Sequence, residues 1–290
     1  MIAQNFEYSA PANLSEALKL LSEGDAKALA GGMSLIPLMK LRLAAPEQLV
    51  DLGRIAGLNY IRQDKSVIRI GATTTHYEVQ SSAMLRASCP LLVETANHIG
   101  DIQVRNRGTI GGSIAHADPA ADYPASLLAL EARVVLVSAK SEREIPIADF
   151  FVDTFTTALE PGELIREVIV PVEDQATGTS YQKLIQPASG FAIVGIAARI
   201  RKTGGKIAFA RVGVTGLAGK AYRARNVEQA LESTAGSPSD IQKAAALVAA
   251  DLEKNGLEAN SDLNASAEYR KHLASVYTMR ALGVASSRTA

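Results

Sequence analysis

Adjacent glycines occur at two places in the first half of this chain, at Gly31-Gly32 and at Gly111-Gly112. The first pair follows a short apolar run. The second lies in residues 109–124, TIGGSIAHADPAADYP, which have the composition of neither a helix nor a strand. Glycine lacks Cβ, so such pairs suit places where another group approaches the backbone closely. We therefore predict two tight corners, each ending a strand-like run.

Consecutive N–H groups at such corners can converge on an anion. Ser34 adds a hydroxyl at the start of a predicted helix, where the helix dipole also favours negative charge. Thr109 and Ser113 supply hydroxyls at the second corner. Neither corner matches G-x-G-x-x-G or G-x-x-x-x-G-K-[ST], so Rossmann and P-loop folds are not supported. Spacing alone allows a nucleotide cradle, with an ordinary tight turn as the alternative.

The charge balance excludes several functions. Thirty basic and thirty acidic residues cancel, so no net positive field draws the chain to nucleic acid or an anionic membrane. No run of about 18 apolar residues occurs, which argues against a transmembrane helix. The N-terminus lacks the basic and apolar blocks of a secretory signal, so we expect a cytoplasmic protein.

The residues that bind metals in proteins are few and scattered. Cys89 is the only cysteine, which excludes an internal disulfide and a four-cysteine iron–sulfur cluster within this chain. The four histidines form no pair at ligand spacing, so we expect no metal site here. If the chain takes part in redox chemistry, an organic cofactor must carry it.

The apolar periodicity predicts an ordered sequence of elements. A helix capped by Asn13, with Glu16 three residues later, comes first, and a hairpin turning at Asp64-Lys65 follows. Helices flank the second glycine corner, and three strands follow Glu131. The polar stretch 171–178 is the best domain boundary. Beyond it, three alternating strands and three helices indicate an α+β domain.

Four segments together strongly resemble the FAD-binding medium subunits of molybdenum hydroxylases: LAGGMSLIPLMKLRLAAPEQLVDL, IGATTTH, RNRGTIGGSIAHADPAADYP and LEPGELI. This family includes flavoprotein subunits of bacterial carbon monoxide dehydrogenase, of quinoline and nicotine oxidoreductases, and of aldehyde and xanthine dehydrogenases. The resemblance covers nearly the whole chain, and the two glycine motifs in this order and separation are highly specific to the family.

The resemblance implies an α+β fold of the vanillyl-alcohol oxidase and p-cresol methylhydroxylase type. Two FAD-binding subdomains, 1–57 and 58–175, would precede a C-terminal α+β domain over 176–290, with an antiparallel sheet and three helices. It also implies that the two corners hold the FAD diphosphate and the ribityl hydroxyls between them. The residues assigned to FAD in this way are Leu29, Ala30, Gly31, Gly32, Met33, Ser34, Leu35, Thr74, Ile99, Gly100, Thr109, Ile110, Gly111, Gly112, Ser113, Asp122, Ile165, Lys183 and Phe191.

Several of these roles have competing interpretations. Asp122 matches an aspartate that bonds the flavin's sugar chain, but it could instead, or also, cap the following helix. Lys183 resembles a lysine at the flavin carbonyl edge, where it would stabilise the reduced flavin, but an exposed strand lysine is equally consistent. Thr74 could contact FAD or simply belong to the hairpin. Arg105 and Arg107 suit either a solvent-exposed face or a contact with a partner subunit.

Two residues depart from the family pattern. Gly190-Phe191 replaces an Asp-Tyr pair of several relatives, so Phe191 keeps an aromatic surface for the flavin but lacks a hydroxyl. Met33 replaces a residue that is often polar, which weakens side-chain contacts but not the N–H cradle. Asp118 is interpreted as a turn residue.

By resemblance, the chain is the FAD subunit of a heterotrimeric oxidoreductase. The molybdenum cofactor would sit on a large subunit and two [2Fe-2S] clusters on a small one, the whole forming a dimer of heterotrimers. FAD would pass electrons to an external acceptor, and no catalytic acid, base or nucleophile is assigned here. The alternatives are a free-standing FAD-dependent oxidoreductase and a non-enzymatic nucleotide-binding module.

Overall fold

Four β-sheets, of three, five, four and two strands, organise residues 2–289, which this computed structural model describes. Met1 and Ala290, the outer ends of the predicted first and last domains, lie outside that range.

The first sheet is parallel, with strand order β1-β3-β2. Asn13 accepts a hydrogen bond from the Glu16 N–H at 2.9 Å and begins the first helix, which confirms the predicted cap. A short 3-10 helix, Ala56–Leu58, leads to the next sheet. The elements of this part are β1 (Glu7–Ser9), α1 (Leu14–Leu21), β2 (Ala26–Leu29), α2 (Leu35–Lys40) and β3 (Gln48–Asp51).

The second sheet is antiparallel, with strand order β4-β5-β10-β6-β7. The helices of this part lie in the segments that connect its strands. Its first hairpin turns after Asp64 with Lys65 at φ 55°, as predicted. Its elements are β4 (Ile61–Asp64), β5 (Val67–Gly71), α3 (His76–Ser81), α4 (Ala83–Ser88), α5 (Pro90–Asn97), α6 (Ile102–Arg107), α7 (Ile110–His116), α8 (Tyr123–Ala129), β6 (Arg133–Val137), β7 (Glu142–Pro146), α9 (Ile147–Phe150), the separate two-stranded sheet β8 (Phe151–Asp153) and β9 (Thr156–Thr157), and β10 (Leu164–Pro171).

The third main sheet is antiparallel, with strand order β11-β12-β13-β14, and is followed by helices. This matches the predicted strands-then-helices pattern. Its elements are β11 (Thr177–Ile185), β12 (Ala192–Thr203), β13 (Lys206–Thr215), β14 (Tyr222–Arg223), α10 (Arg225–Leu231), α11 (Pro238–Ala245), α12 (Ala250–Lys254) and α13 (Ala267–Ser287).

The predicted count of three C-terminal helices is wrong, because the stretch predicted as one helix, residues 240–254, is divided between α11 and α12. Bonds of the i to i−3 kind, such as Leu247 N–H to the Ala244 carbonyl, tighten the chain between them. The resulting turn buries Val248 completely and turns its carbonyl to the Tyr222 hydroxyl, 3.0 Å away.

Residues 109–124 also differ from the prediction, since Ile110–His116 form helix α7. Thr109 caps it, because its hydroxyl accepts the Gly112 N–H at 3.1 Å, and Ala117 ends it in the left-handed region at φ 51°. The second glycine pair therefore opens a helix, and the element before it is helix α6, not a strand. The cap and the packing of α7 outweigh the poor helix propensity of two glycines.

Helix α8 joins the N-terminal and C-terminal parts. All seven of its residues are buried, because it lies between the core of the five-stranded sheet and strands β12 and β13. Gly213 on β13 allows this contact, since a Cβ there would collide with the Ala125 carbonyl oxygen. This close approach of two backbones holds the C-terminal sheet against α8.

The predicted boundaries at 57/58 and 175/176 remain predictions. The three main sheets lie within residues 7–51, 61–171 and 177–223, respectively. Within residues 2–289, no helix combines the length and hydropathy needed to cross a bilayer.

Candidate functional site

The two glycine corners lie against each other. A Cβ on Gly31 would collide with the Arg107 carbonyl oxygen and lie 2.7 Å from the Gly108 Cα, so these backbones touch. A Cβ on Gly112 would lie 4.0 Å from that of Ala30. The predicted juxtaposition of two corners that are about 80 residues apart in sequence is therefore present in the fold.

The four glycines do different jobs. Gly31 and Gly111 are closed in by protein backbone: Gly31 by Arg107 and Gly108, and Gly111 by Ala72, whose carbonyl accepts the Gly111 N–H at 2.9 Å. Gly32 adopts φ 74°, a conformation that favours glycine. Gly112 is exposed, and a Cβ there would lie 2.8 Å from the Thr109 hydroxyl and 4.0 Å from the Ala30 Cβ. A Cβ on Gly32 would lie 3.1 Å from Ile36 and 3.3 Å from Leu29, so of these four glycines Gly112 has the surface most open to a ligand.

The first corner presents unpartnered donors. Within residues 2–289, no protein acceptor takes the backbone N–H groups of residues 31–35. Ser34 stands at the N-cap position of α2, but its side chain makes no capping bond, contrary to the predicted capping serine. Consecutive free N–H groups and a free hydroxyl form the kind of concave donor set that binds anions.

The second corner does not offer free N–H groups, which corrects the expectation that both do. The Ile110 N–H donates to the Thr74 carbonyl, the Gly111 N–H to Ala72, and the Gly112 and Ser113 N–H groups to Thr109. What remains is the bare surface of Gly112 and the hydroxyl of Ser113. The two corners therefore offer different donors: the first offers backbone N–H groups with the Ser34 hydroxyl, and the second offers the Ser113 hydroxyl.

The threonines after β5 serve the local fold. Thr74 is fully buried, and its hydroxyl donates to the Tyr60 carbonyl at 3.0 Å and accepts the Tyr60 N–H. Thr75 caps α3 in a reciprocal capping box with Glu78. The Ile110 N–H donates to the Thr74 carbonyl at 3.0 Å, and this bond ties the second corner to the segment after β5.

A second cluster of predicted residues lies where residues 99–100 meet residues 190–191. A Cβ on Gly190, at φ 76°, would lie 3.6 Å from the Gly100 Cα. Phe191, which follows Gly190, is 42% exposed, and Ile99, which precedes Gly100, is half-buried. The Arg105 guanidinium donates to the carbonyls of Ile99 and Gly100 at 3.0 and 2.9 Å, so its role is to fix this segment.

Asp122 and Lys183 form a buried ion pair, which overturns the two competing interpretations. The Lys183 side chain has no exposed surface, so it is not an exposed strand lysine. Asp122 makes no capping hydrogen bond to α8. The Lys183 Nζ lies 2.8 and 2.9 Å from the two carboxylate oxygens and donates to the His98 carbonyl at 2.9 Å.

Burial sets the proton affinity of Asp122. Removal from water raises the pKa of Asp122 to about 6, although the Lys183 charge and the Tyr181 hydroxyl act in the opposite direction. The Tyr181 hydroxyl donates to the Asp122 Oδ1 at 2.5 Å, and burial beside that carboxylate raises the pKa of Tyr181. The network is a carboxylate held by one cation and one neutral donor.

The remaining predicted residues lie around the first corner or in the core. Leu29 ends β2, and its Cδ1 would lie 3.3 Å from a Cβ on Gly32. Met33 is 41% exposed. Leu35 begins α2, and Ile165 is buried in β10 within the core of the five-stranded sheet.

Two residues outside the predicted FAD set are also located by the structure. Asp118 accepts the Ala120 N–H at 2.8 Å, which confirms it as a turn residue, and Arg107 is exposed.

Sequence reasoning missed three residues that organise the site: Gly108, His76 and Tyr181. A Cβ on Gly108 would lie 2.5 Å from the His76 Nε2, so Gly108 is packed between Gly31 and the imidazole. The spacing of Tyr181 and Lys183, two apart on one strand, puts them on the same face and was an available signal. Among residues 2–289, no group of three His, Cys, Asp or Glu side chains forms a possible metal site.

His76 predicts a pH-dependent stability. Burial, with the nearby Arg105 charge, lowers the pKa of His76 to about 4, and its Nδ1 has no hydrogen-bond partner among the described residues. The unfolded chain takes up this proton near pH 6.5 and the folded chain only near pH 4, so stability present above pH 6.5 is lost as pH falls. In the wild type, protonation of His76 should lower the free energy of unfolding by about 2 kcal/mol between about pH 7 and about pH 4.5. In His76→Gln this part of the decrease should be absent. Urea unfolding at the two pH values measures this, and identical pH dependence in both proteins would contradict it.

The chain is similar in sequence and in structure to several known proteins. Residues 4–173 match the family "FAD binding domain in molybdopterin dehydrogenase", and residues 179–285 match "CO dehydrogenase flavoprotein C-terminal domain". The carbon monoxide dehydrogenase medium chain of Hydrogenophaga pseudoflava is 41% identical, with both chains fully covered. The glyceraldehyde dehydrogenase medium chain of Sulfolobus acidocaldarius is 36% identical over 97% of this chain and 98% of that one. A solved structure of the Hydrogenophaga pseudoflava carbon monoxide dehydrogenase, in a form lacking the Mo-pyranopterin moiety, contains a chain that superposes with a TM-score of 0.95 at 42% identity and full coverage of both.

Proposed function

This chain belongs to the family of FAD-binding medium subunits of molybdenum hydroxylases, and from that membership we propose how its residues serve the flavin. The matches confirm the predicted α+β fold and the assignment as the FAD-binding flavoprotein subunit of an oxidoreductase. Which residues hold FAD, and what assembly forms around the chain, are the proposals that follow.

The free N–H groups of residues 31–35 carry the proposal for the diphosphate. A diphosphate needs several donors converging on one spot, and the backbone donors of residues 31–35 have no acceptor within residues 2–289. Gly112 supplies the bare surface opposite them, and the hydroxyls of Ser34 and Ser113 add donors for phosphate or ribityl oxygens. Gly31 and Gly111 act indirectly, because they let the supporting backbones approach.

The cluster of Ile99, Gly100 and Phe191 supports the flavin ring system. The half-exposed Phe191 ring offers an apolar surface for an aromatic face. The nearby Asp122–Lys183 pair places fixed charges close to this segment through the His98 carbonyl. Bound FAD supplies the electron-accepting chemistry, while the protein binds, orients and tunes it.

The chain offers no acid–base machinery of its own in this proposal. Among the titratable groups beside the site, Asp122 and Lys183 are paired with each other, and burial keeps His76 neutral. A subunit that passes electrons through its cofactor needs no proton donor aimed at a substrate. Substrate choice then belongs to a partner: two relatives of this chain carry names that specify different substrates, carbon monoxide and glyceraldehyde.

We propose that the partners are a large subunit with the molybdenum cofactor and a small subunit with two [2Fe-2S] clusters, in a cytoplasmic dimer of heterotrimers. The single cysteine supports a separate carrier for the clusters, because four thiolates are needed for each. The relatives are described as medium chains or subunits, which supports a multi-subunit enzyme.

The test is purification of the tagged chain from its own host, with absorbance and metal analysis. The proposal expects flavin absorbance together with molybdenum and iron in a fixed ratio to FAD. Flavin bound to a chain that alone turns over substrate and acceptor would support the free-standing enzyme instead. A colourless chain that binds a nucleotide would support the non-enzymatic module.

A further inference from the structure

The Tyr181 hydroxyl is buried beside the site, and no role in binding or in the core explains its polar end. Tyr181 has no exposed surface, and its hydroxyl makes one hydrogen bond, to Asp122 Oδ1 at 2.5 Å. A phenylalanine would fill the same apolar volume without a buried polar group. The hydroxyl therefore acts on Asp122.

The fold makes space for this contact. Tyr181 and Lys183 stand on the same face of β11. Both bond Asp122, the residue before α8, and Lys183 also bonds the carbonyl of His98, the residue after α5. Opposite Lys183 on β12 lies Gly195, where a Cβ would collide with the Tyr181 hydroxyl oxygen. The edge of the His98 ring meets the Tyr181 ring, with centroids 5.7 Å apart. This packing directs the Tyr181 hydroxyl to Asp122.

Asp122 links Tyr181 to Lys183, and Lys183 links both to the segment proposed to line the flavin. Its two oxygens lie 2.8 and 2.9 Å from Lys183 Nζ, and that ammonium also holds the His98 carbonyl. His98 precedes Ile99-Gly100, and Gly100 packs against Gly190, the residue before Phe191. A chain of hydrogen bonds thus runs from Tyr181 to the segment that lines the proposed flavin site.

We propose that Tyr181 is a positioning residue that tunes the reduction potential of the bound flavin through Asp122 and Lys183. This inference rests on the proposed placement of the flavin. The hydroxyl withdraws negative charge from Asp122, so the Lys183 cation is less neutralised by its partner. A less neutralised cation favours the added negative charge of a reduced cofactor.

The test is Tyr181→Phe in the intact FAD-loaded protein, with the flavin midpoint potential measured by spectroelectrochemistry. We expect reduction to become about tenfold less favourable, which is about 30 mV lower for a two-electron couple. FAD affinity should change less than about threefold, because the hydroxyl points at Asp122. The matched control is Tyr222→Phe, which removes a buried tyrosine bond to the Val248 carbonyl in the C-terminal core and should leave the potential unchanged.

A double-mutant cycle separates tuning from general loss of structure. In an Asp122→Asn background, Tyr181→Phe should no longer shift the potential, because no carboxylate remains for the hydroxyl to act on. An unchanged potential in Tyr181→Phe, or an equal shift in both backgrounds, would overturn this role while leaving FAD binding intact. Wild-type protein that binds no FAD would overturn both the role and the proposed function.

Discussion

Gly112→Val should weaken FAD binding by at least about 100-fold, since it loses about two charge-assisted hydrogen bonds at the diphosphate. The valine side chain would start from an exposed glycine whose Cβ would lie 4.0 Å from that of Ala30, the residue before the free N–H groups of residues 31–35. A ligand there would have to move away from those donors. Titration of apoprotein with FAD, followed by flavin fluorescence, measures the affinity.

The fold should tolerate this change. Gly112 lies in the first turn of α7 with a negative φ, and a new Cβ displaces only the Thr109 hydroxyl, 2.8 Å away. Losing that cap costs about 1 kcal/mol, which lowers the Tm by about 4 °C or less. The matched control is Gly283→Val, at an exposed position of α13 with no neighbour within 4 Å. Unchanged FAD affinity in Gly112→Val would contradict the assigned cradle.

Lys183→Met should destabilise the protein by about 3–5 kcal/mol near neutral pH, because it leaves the Asp122 carboxylate buried without its cation. Asp122 has a raised pKa even with Lys183 present, and removal of the cation raises it further. A carboxyl whose folded pKa exceeds its unfolded value loses stability as pH rises through the folded pKa. The deficit relative to wild type should therefore be larger at about pH 8 than at about pH 5.

Urea unfolding of the apoprotein measures this effect without any contribution from FAD. The control Lys206→Met removes an exposed lysine from β13 and should change stability by less than about 0.5 kcal/mol. Adding Asp122→Asn to Lys183→Met should recover part of the loss, since no buried charge remains. A deficit that is the same at both pH values would mean that the unpaired carboxylate is not its source.

The glycine corners show what a sequence can and cannot specify. Their meeting was predictable because two rare motifs pointed to one ligand. Their different roles were not predictable, because the neighbours of each glycine are brought by folding. Gly31 contacts the backbone of Arg107 and Gly111 contacts that of Ala72, whereas a Cβ on Gly112 would lie near the Thr109 hydroxyl and the Ala30 Cβ and otherwise in the open. Which N–H groups remain free likewise depends on folding, because Ala72, Thr74 and Thr109 accept the N–H groups of the second corner.

The burial of Lys183 shows a second limit. Alternation along β11 predicts one exposed face, but this strand is covered on both. Tyr181 belongs to the core shared with α5 and α8, whereas Leu184 packs against the core of the C-terminal domain. A lysine at such a position must pair, and only the fold shows that Asp122, 61 residues away in sequence, is the partner.

Local signals succeeded where the deciding interaction was itself local. The Asn13 cap, the hairpin after Asp64 and the Asp118 turn each depend on contacts within a few residues. Helix α7 and the break between α11 and α12 depend on packing against distant elements, and both were mispredicted. Boundaries set by tertiary contacts cannot be read from composition.

A crystal structure of the chain with FAD bound would test the account most directly. We expect diphosphate oxygens within about 3.2 Å of the backbone nitrogens in residues 31–35, with Gly112 facing the bridge from the other side. Diphosphate density elsewhere on the protein, or corners moved apart so that Gly31 no longer touches Arg107 and Gly108, would contradict it.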